Sequence, residues 1–316
     1  MLRCRDPECG FITYRCPQCG MVKTVPLACK SRVCTSCGKR YADEWADRLA
    51  LTLYSVSHRH MVFTIPEELR EVLDEDHSLL KVLMDAVSRT MKQMIKSRCR
   101  AVPGVICVLH IYGRDLQLNP HVHVLATEGG LTKHGEWIPV TFLEYGKLRR
   151  IWQYQLLTAV KRQMPKTWEN ISLIDSLFKN HPEGFYIYAK RRVTKPRKIA
   201  RYVGRYLRHP AIAESRITGF NSETDTVAFW YQLDGAVKTV TMSALEFIGH
   251  LVKLIPDKNL KLIRYYGLYA RRTRNNLQKF LTPLSREKPK LQPRKELVKC
   301  PKCGSTMKLI GVTRPS

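Results

Sequence analysis

Residues 119–125 read Asn119-Pro-His121-Val-His123-Val-Leu125, and this stretch decides how the middle of the chain is built. On a β-strand, residues i and i+2 share a face. His121 and His123 are therefore expected to point one way, and Val122 and Val124 the other, into a core. Just upstream, Val102–Tyr112 is a second β-branched run, separated from the first by a polar loop containing Gly113, Asp115, Asn119 and Pro120. The two runs are expected to pair antiparallel. His110, on the earlier run, then converges on the point that His121 and His123 face, with Gln117 and Glu128 as weaker candidates for a third ligand. Three protein ligands with one position left open are what metal-assisted attack at phosphorus requires. Spacing alone also fits two surface histidines on an edge strand.

Working outward, Met61-Val-Phe-Thr-Ile65 is a short apolar run stopped by Pro66 and is expected to be a strand. Residues 41–55, 78–98, 143–164 and 243–255 carry apolar positions at helical spacing. Phe185–Tyr188 is expected to be a strand, and residues 197–208 a basic helix ended by His209-Pro210. Ala228–Leu233 and Ala236–Met242 flank Asp234-Gly235, a two-residue hairpin signal. Strands and helices mix without a βαβ rhythm, so the fold class is expected to be α+β.

The cysteines set the chain's N-terminus apart. Of 11 cysteines, seven fall within the first 37 residues: Cys4, Cys9, Cys16, Cys19, Cys29, Cys34 and Cys37. Cys16-Pro-Gln-Cys19-Gly and Cys34-Thr-Ser-Cys37-Gly are matching knuckles. Two such bites can close a tetrahedron around one structural zinc ion, and clustered Cys-x-x-Cys pairs are the usual sign of one. Cys29 either replaces a knuckle residue or joins Cys4 and Cys9 in a second site. Cys300-Pro-Lys-Cys303-Gly, after a Pro-containing basic stretch, is half a site that either caps the surplus N-terminal cysteines, binds a partner chain's zinc or is a truncated ribbon. The expected organisation is a zinc-binding module over 1–42, a catalytic domain over 43–282, and a linker with the half site over 283–316.

Composition narrows the partners. The chain has 316 residues, with 54 Lys+Arg against 27 Asp+Glu, a formal net charge of +27. That excess favours a polyanion, nucleic acid first. Hydrophobic residues make up 44% of the chain, which excludes a disordered tail protein. No stretch has the length and apolarity of a membrane span, and Met1-Leu-Arg-Cys-Arg lacks a signal-peptide core, so a cytoplasmic location is expected. No Walker-type phosphate loop is present.

Two tyrosine pairs remain. Tyr202-Val-Gly-Arg-Tyr206 places two phenols at i and i+4, side by side if the segment is helical, among Lys198, Arg201, Arg205 and Arg208. Guanidinium groups favour a phenolate nucleophile and contact DNA phosphates. Tyr265-Tyr-Gly-Leu-Tyr269, beside Arg264, Arg271 and Arg272, has the same spacing. On spacing alone either pair could serve, or act as stacking platforms for bases.

Taken together, these segments resemble the two-tyrosine HUH transposases of rolling-circle bacterial insertion sequences. The resemblance runs through Tyr14-Arg-Cys-Pro-Gln-Cys-Gly, Cys29-Lys-Ser-Arg-Val-Cys-Thr-Ser-Cys-Gly, Val62-Phe-Thr-Ile-Pro, Asn119-Pro-His-Val-His-Val and Ile199-Ala-Arg-Tyr-Val-Gly-Arg-Tyr, and covers roughly residues 1–275. It implies an HUH endonuclease core, an antiparallel sheet with flanking helices, with His121 and His123 on its central strand. It implies Mg²⁺ or Mn²⁺ on those histidines with a third ligand, and Tyr202 and Tyr206 as the nucleophiles. The implied activity is single-strand DNA nicking and strand transfer through a 5′-phosphotyrosine. A rolling-circle replication initiator shares that chemistry, and a non-catalytic zinc-bearing DNA-binding regulator would explain the charge and the cysteines alone.

Overall fold

The computed structural model describes residues 3–31, 34–189, 212–233, 235–276 and 298–314. The basic segment 197–208, with Tyr202, Tyr206, Lys198, Arg201, Arg205 and Arg208, lies outside the described residues. What is described is α+β, with antiparallel sheets and seven α-helices.

The central sheet has five strands. In chain order they are β3 (His58–Thr64), β4 (Gly104–Tyr112), β5 (Leu118–Thr127), β8 (Ile187–Ala189) and β12 (Ile263–Gly267). In space the order is β12-β4-β5-β3-β8, with every neighbour antiparallel, so the histidine strand is the middle one. The expected pairing of 102–112 with 121–127 is present, and its register sets His110 opposite His121 and Val108 opposite His123.

The sheet is two-faced because each strand alternates. Val122, Val124 and Ala126 of β5, Val105, Cys107 and Leu109 of β4, and Met61 and Phe63 of β3 form one face. That face packs on α3 (Ser78–Cys99) and α4 (Tyr145–Gln163), through Leu79, Leu83, Met91 and Met94 of the first and Leu148, Trp152 and Leu156 of the second. Burying side chains of this size contributes roughly 1.5–3 kcal/mol each. Trp152 sits edge-on to Phe63 and donates its indole N–H to the Thr64 carbonyl at 2.9 Å. α2 (Glu68–Glu75) and α5 (Trp168–Asn180) were not expected from the sequence; each is short and buries only two residues fully, Leu69 and Leu73 in one and Ile174 and Leu177 in the other.

One ion pair is set into this packed face. Glu128 accepts from Arg59 Nε at 2.6 Å and from its Nη2 at 2.5 Å, and Arg59 Nη1 donates to the Tyr145 hydroxyl at 2.7 Å. The Glu128 side chain is only 1% exposed. A guanidinium left there without its carboxylate is an uncompensated charge in a dry environment. Glu128→Ala is therefore expected to destabilise the fold by about 3–5 kcal/mol, read as a lowered urea midpoint.

A smaller sheet, β9 (Ile217–Asn221), β10 (Thr226–Leu233) and β11 (Ala236–Ser243), carries the expected hairpin, with Leu233 paired to Ala236 and Gly235 at φ +85°. α6 (Ala244–Lys253) follows, and the Ser243 hydroxyl accepts the Glu246 N–H at 3.1 Å as its N-cap. Phe229, Val227, Met242 and Phe247 form a separate core here. Leu116, from the loop joining β4 to β5, plugs into it beside Ile212. Arg216 also donates to the Arg114 carbonyl at 2.6 Å. The small sheet is thus fastened to the loop between His110 and His121.

The N-terminal module is a third sheet: β1 (Phe11–Arg15) and β2 (Val22–Pro26), with β13 (Lys308–Thr313) on the other side of β1. The segment treated in the sequence as a tail after a linker thus supplies a strand to the opposite end of the chain, Phe11 pairing with Thr313. α1 (Thr35–Thr52) leads from the module to the central sheet, where Leu49, Leu53 and Tyr54 pack on Ile106, Val108 and Leu125. Among the described residues, no helix is long and apolar enough to cross a membrane.

Candidate metal centre and tyrosine environment

The open end of the second sheet face carries three histidines. His110, His121 and His123 each offer a ring nitrogen, and these nitrogens lie within 4.8 Å of one another. Ring centroids are 4.4 Å apart for His110–His123, 5.1 Å for His121–His123 and 5.2 Å for His110–His121. The strands position all three: i, i+2 spacing on β5 supplies two, and the direct cross-strand partner on β4 supplies the third. The group is graded in depth, with His123 buried and the other two half-buried. Among the described residues, one side is thus seated in protein and the other is partly exposed.

Neighbouring groups fix which nitrogens face inward. His121 Nδ1 lies 2.6 Å from the Asn119 carbonyl, which can only accept, so Nδ1 carries the proton and Nε2 keeps its lone pair. Burial pushes the His121 pKa below its usual value, against that same hydrogen bond, so the ring is neutral at pH 7. His123 Nδ1 lies 3.0 Å from His60 Nε2, and the two rings stack at 5.3 Å. His60 was not singled out in the sequence. Its signal was present as His58-Arg-His60, a second His-x-His on the strand beside β5.

The two weaker ligand candidates are elsewhere. Glu128 sits on the opposite sheet face with Arg59, and Gln117 is exposed on the loop. Glu128 does not join the histidine group.

The rival tyrosine pair is taken up by structure. Tyr265 is on strand β12, whereas Tyr269 lies in the turn after it, so the two are not neighbours on a helix. Tyr269 is buried, stacks on Tyr54 at 5.2 Å, and its hydroxyl lies 2.6 Å from His58 Nε2. Tyr266 donates to Asp85 at 2.7 Å. Burial raises the pKa of both phenols, the reverse of what a phenolate nucleophile needs.

His58 itself is locked neutral. Its Nδ1–H donates to the Val56 carbonyl at 2.7 Å, and Nε2 accepts from Tyr269. Burial lowers its pKa to about 4. Because the folded value lies below the unfolded one, its contribution is complete above about pH 6.5 and is lost as pH falls towards 4. The loss amounts to about 3 kcal/mol. Thermal unfolding across this range should show the slope, and His58→Gln should flatten it.

The cysteines form two groups of four. Cys4, Cys29, Cys34 and Cys37 make one; Cys16, Cys19, Cys300 and Cys303 make the other. Four thiolates about 2.3 Å from a zinc ion stand about 3.8 Å from each other. The sulfur separations found are 3.6 Å for Cys4–Cys37, 3.8 Å for Cys29–Cys37, 3.4 Å for Cys16–Cys303 and 3.5 Å for Cys19–Cys300. The donors present therefore suit zinc. The expected pairing of the Cys16/Cys19 knuckle with the Cys34/Cys37 knuckle is corrected: the two are in different groups. The reason is local. Cys34 is the N-cap of α1 and Cys37 lies in its first turn, whereas Cys16 and Cys19 lie in a turn between strands. Cys9 stays in the short turn Pro7–Cys9, outside both groups, each of which already has four thiols.

Comparison with known proteins follows the same division. A family described as "Transposase zinc-binding domain" matches residues 1–65, and one described as "Putative transposase" matches residues 104–276. The transposase for insertion sequence element IS801 of Pseudomonas savastanoi pv. phaseolicola is 31% identical over 288 residues, spanning 86% of this chain and 69% of that protein.

The chain belongs to the IS91/IS801 family of transposases.

A second relative, "Putative transposase y4qJ" of Sinorhizobium fredii, is 25% identical over 292 residues, spanning 86% of this chain and 73% of that protein. No solved structure matches significantly. The transposase match contains the whole histidine group, and the zinc-binding match contains Cys4, Cys29, Cys34 and Cys37, a complete set of four thiols for structural zinc. This transposase is therefore a DNA-processing enzyme whose N-terminal module holds structural zinc.

Proposed function

We propose that this transposase nicks single-stranded DNA at element ends and transfers the strand by a rolling-circle route, through a 5′-phosphotyrosine. The observation that carries the reading is the three-histidine group, seated on the middle strand β5 and its neighbour β4. The group fits a divalent cation such as Mg²⁺ or Mn²⁺, which when bound polarises the scissile phosphate.

The chain's own residues supply the rest. Asn119 and His60 are positioning residues: each holds a ligand imidazole by its Nδ1, which leaves Nε2 for the cation. A phenol of Tyr202 or Tyr206 attacks phosphorus, and the P–O3′ bond breaks. The 3′-oxygen leaves as a hydroxyl with the proton the phenol gives up, and the 5′-phosphate stays on tyrosine. Phosphodiester energy is kept, so rejoining needs no nucleoside triphosphate. Lys198, Arg201, Arg205 and Arg208 favour the phenolate and hold the DNA backbone. Two phenols let one centre cleave twice without resetting.

Two features support the choice of pair. Of the rival pair, Tyr269 is already hydrogen-bonded to His58 within the fold, and Tyr265 lies on a strand, not beside it on a helix. The described residues that bracket Tyr202 and Tyr206 are Ala189, on the strand beside β3, and Ile212, packed with Leu116 of the loop between His110 and His121.

The test is incubation with a single-stranded oligonucleotide carrying an element end, with and without Mn²⁺. The proposal expects cleavage and a covalent protein–DNA adduct only with the metal. Retention of DNA without cleavage would point instead to a binding regulator.

A further inference from the structure

We propose that Cys300-Pro-Lys-Cys303 is the second half of a zinc ribbon whose first half is Cys16-Pro-Gln-Cys19, so that one zinc ion clasps the two ends of the chain. The zinc-binding family match ends at residue 65 and contains only half of this site.

The two half sites are built alike, bond for bond. In the first, Cys16 N–H donates to the Met21 carbonyl at 2.8 Å and Gly20 N–H to the Cys16 carbonyl at 3.0 Å. In the second, Cys300 N–H donates to the Ser305 carbonyl at 2.8 Å and Gly304 N–H to the Cys300 carbonyl at 2.9 Å. Gly20 and Gly304 both adopt positive φ, +71° and +73°, which closes each turn under its sulfurs. A strand follows each turn: β2 after the first and β13 after the second, on either side of β1. The Cys34/Cys37 pair shares only the bond from its glycine, Gly38 N–H to the Cys34 carbonyl at 2.7 Å, and opens a helix where the other two lead into strands.

The sulfurs alternate between the halves. Cys16 lies 3.4 Å from Cys303, and Cys19 lies 3.5 Å from Cys300 and 3.6 Å from Cys303. Cys16 and Cys300 are buried together with Met307, with Tyr14 and Val298 packed alongside, and Ser305 hydrogen-bonds Gln18 across the join. Four thiols crowded this closely are a closed tetrahedral donor set with no position for substrate, the structural type of site. Its ligands stand up to 287 residues apart in the chain. The consequence is that the N-terminal module is incomplete without residues 298–314. Zinc at this site also ties the two termini together across the transposase domain.

The test uses the full-length, zinc-loaded protein. Native mass spectrometry is expected to find two zinc ions per chain, falling to one in Cys300→Ser/Cys303→Ser. Alkylation mapping of that variant should show Cys16 and Cys19 newly reactive, with Cys4, Cys29, Cys34 and Cys37 still protected. Should the variant not fold, stepwise chelation of the wild-type protein gives the same information: Cys16, Cys19, Cys300 and Cys303 should become reactive together, as one set. The proposal is overturned if Cys300 and Cys303 react freely in the zinc-loaded wild type, or if Cys16 and Cys19 become reactive in step with Cys34 and Cys37. None of these readouts depends on DNA cleavage, so the outcome stands apart from the proposed nicking chemistry.

Discussion

His121→Ala is expected to slow metal-dependent nicking by at least about 10³-fold, with partial recovery at high Mn²⁺. A cation on a scissile phosphate contributes several kcal/mol of charge stabilisation in the transition state, and each 1.4 kcal/mol is a factor of ten. His121 has one ring nitrogen committed to the Asn119 carbonyl and the other facing His110 and His123, so its loss removes a donor that no neighbour replaces. His134→Ala is the control: that residue is exposed on the turn between β6 (Gly129–Leu131) and β7 (Trp137–Pro139), away from the group. Rates from single-turnover nicking of a labelled oligonucleotide separate the two variants, and equal rates would remove His121 from the metal centre.

Tyr202→Phe/Tyr206→Phe is expected to eliminate the covalent adduct altogether, because it removes both proposed nucleophiles. Tyr269→Phe is expected to act differently. It takes the hydroxyl from His58 Nε2 and leaves a buried acceptor unsatisfied, costing about 1–3 kcal/mol of stability with adduct formation retained in the folded fraction. Adduct yield on a denaturing gel, set beside the unfolding midpoint, distinguishes a chemical loss from a structural one.

Much of this site was legible because it is local. Strand alternation placed His121 and His123 on one face, and antiparallel pairing of two adjacent runs brought in His110, a contact only 11 residues apart in sequence. His60 was harder to see. It comes from a strand about 60 residues earlier, and only the β3–β5 register sets it against His123. The i, i+4 spacing of Tyr265 and Tyr269, which made them a rival pair, is not helical in the fold. Val105, Ile106 and Cys107 of β4 draw Tyr266, Tyr265 and Arg264 into an edge strand, overriding the i, i+4 pattern.

The zinc module shows the limit more sharply. Nearness in sequence favoured joining the two N-terminal knuckles, but β1 pairs with β13, almost at the other end of the chain. A clue was nonetheless in the residues: Cys16 and Cys300 both begin Cys-Pro-x-Cys-Gly, while Cys34 begins Cys-Thr-Ser-Cys-Gly at the head of a helix.

The central claim is that a phenol from the Tyr202/Tyr206 pair and the imidazoles of His110, His121 and His123 act on the same phosphate. The most direct measurement is digestion of the trapped protein–DNA adduct and mass mapping of the modified peptide. A nucleotide 5′-phosphate is expected on Tyr202 or Tyr206, formed only when Mg²⁺ or Mn²⁺ is present and absent in His121→Ala. A phosphate mapped to Tyr265, to Tyr269 or to a serine, or an adduct formed equally well without metal, would contradict it.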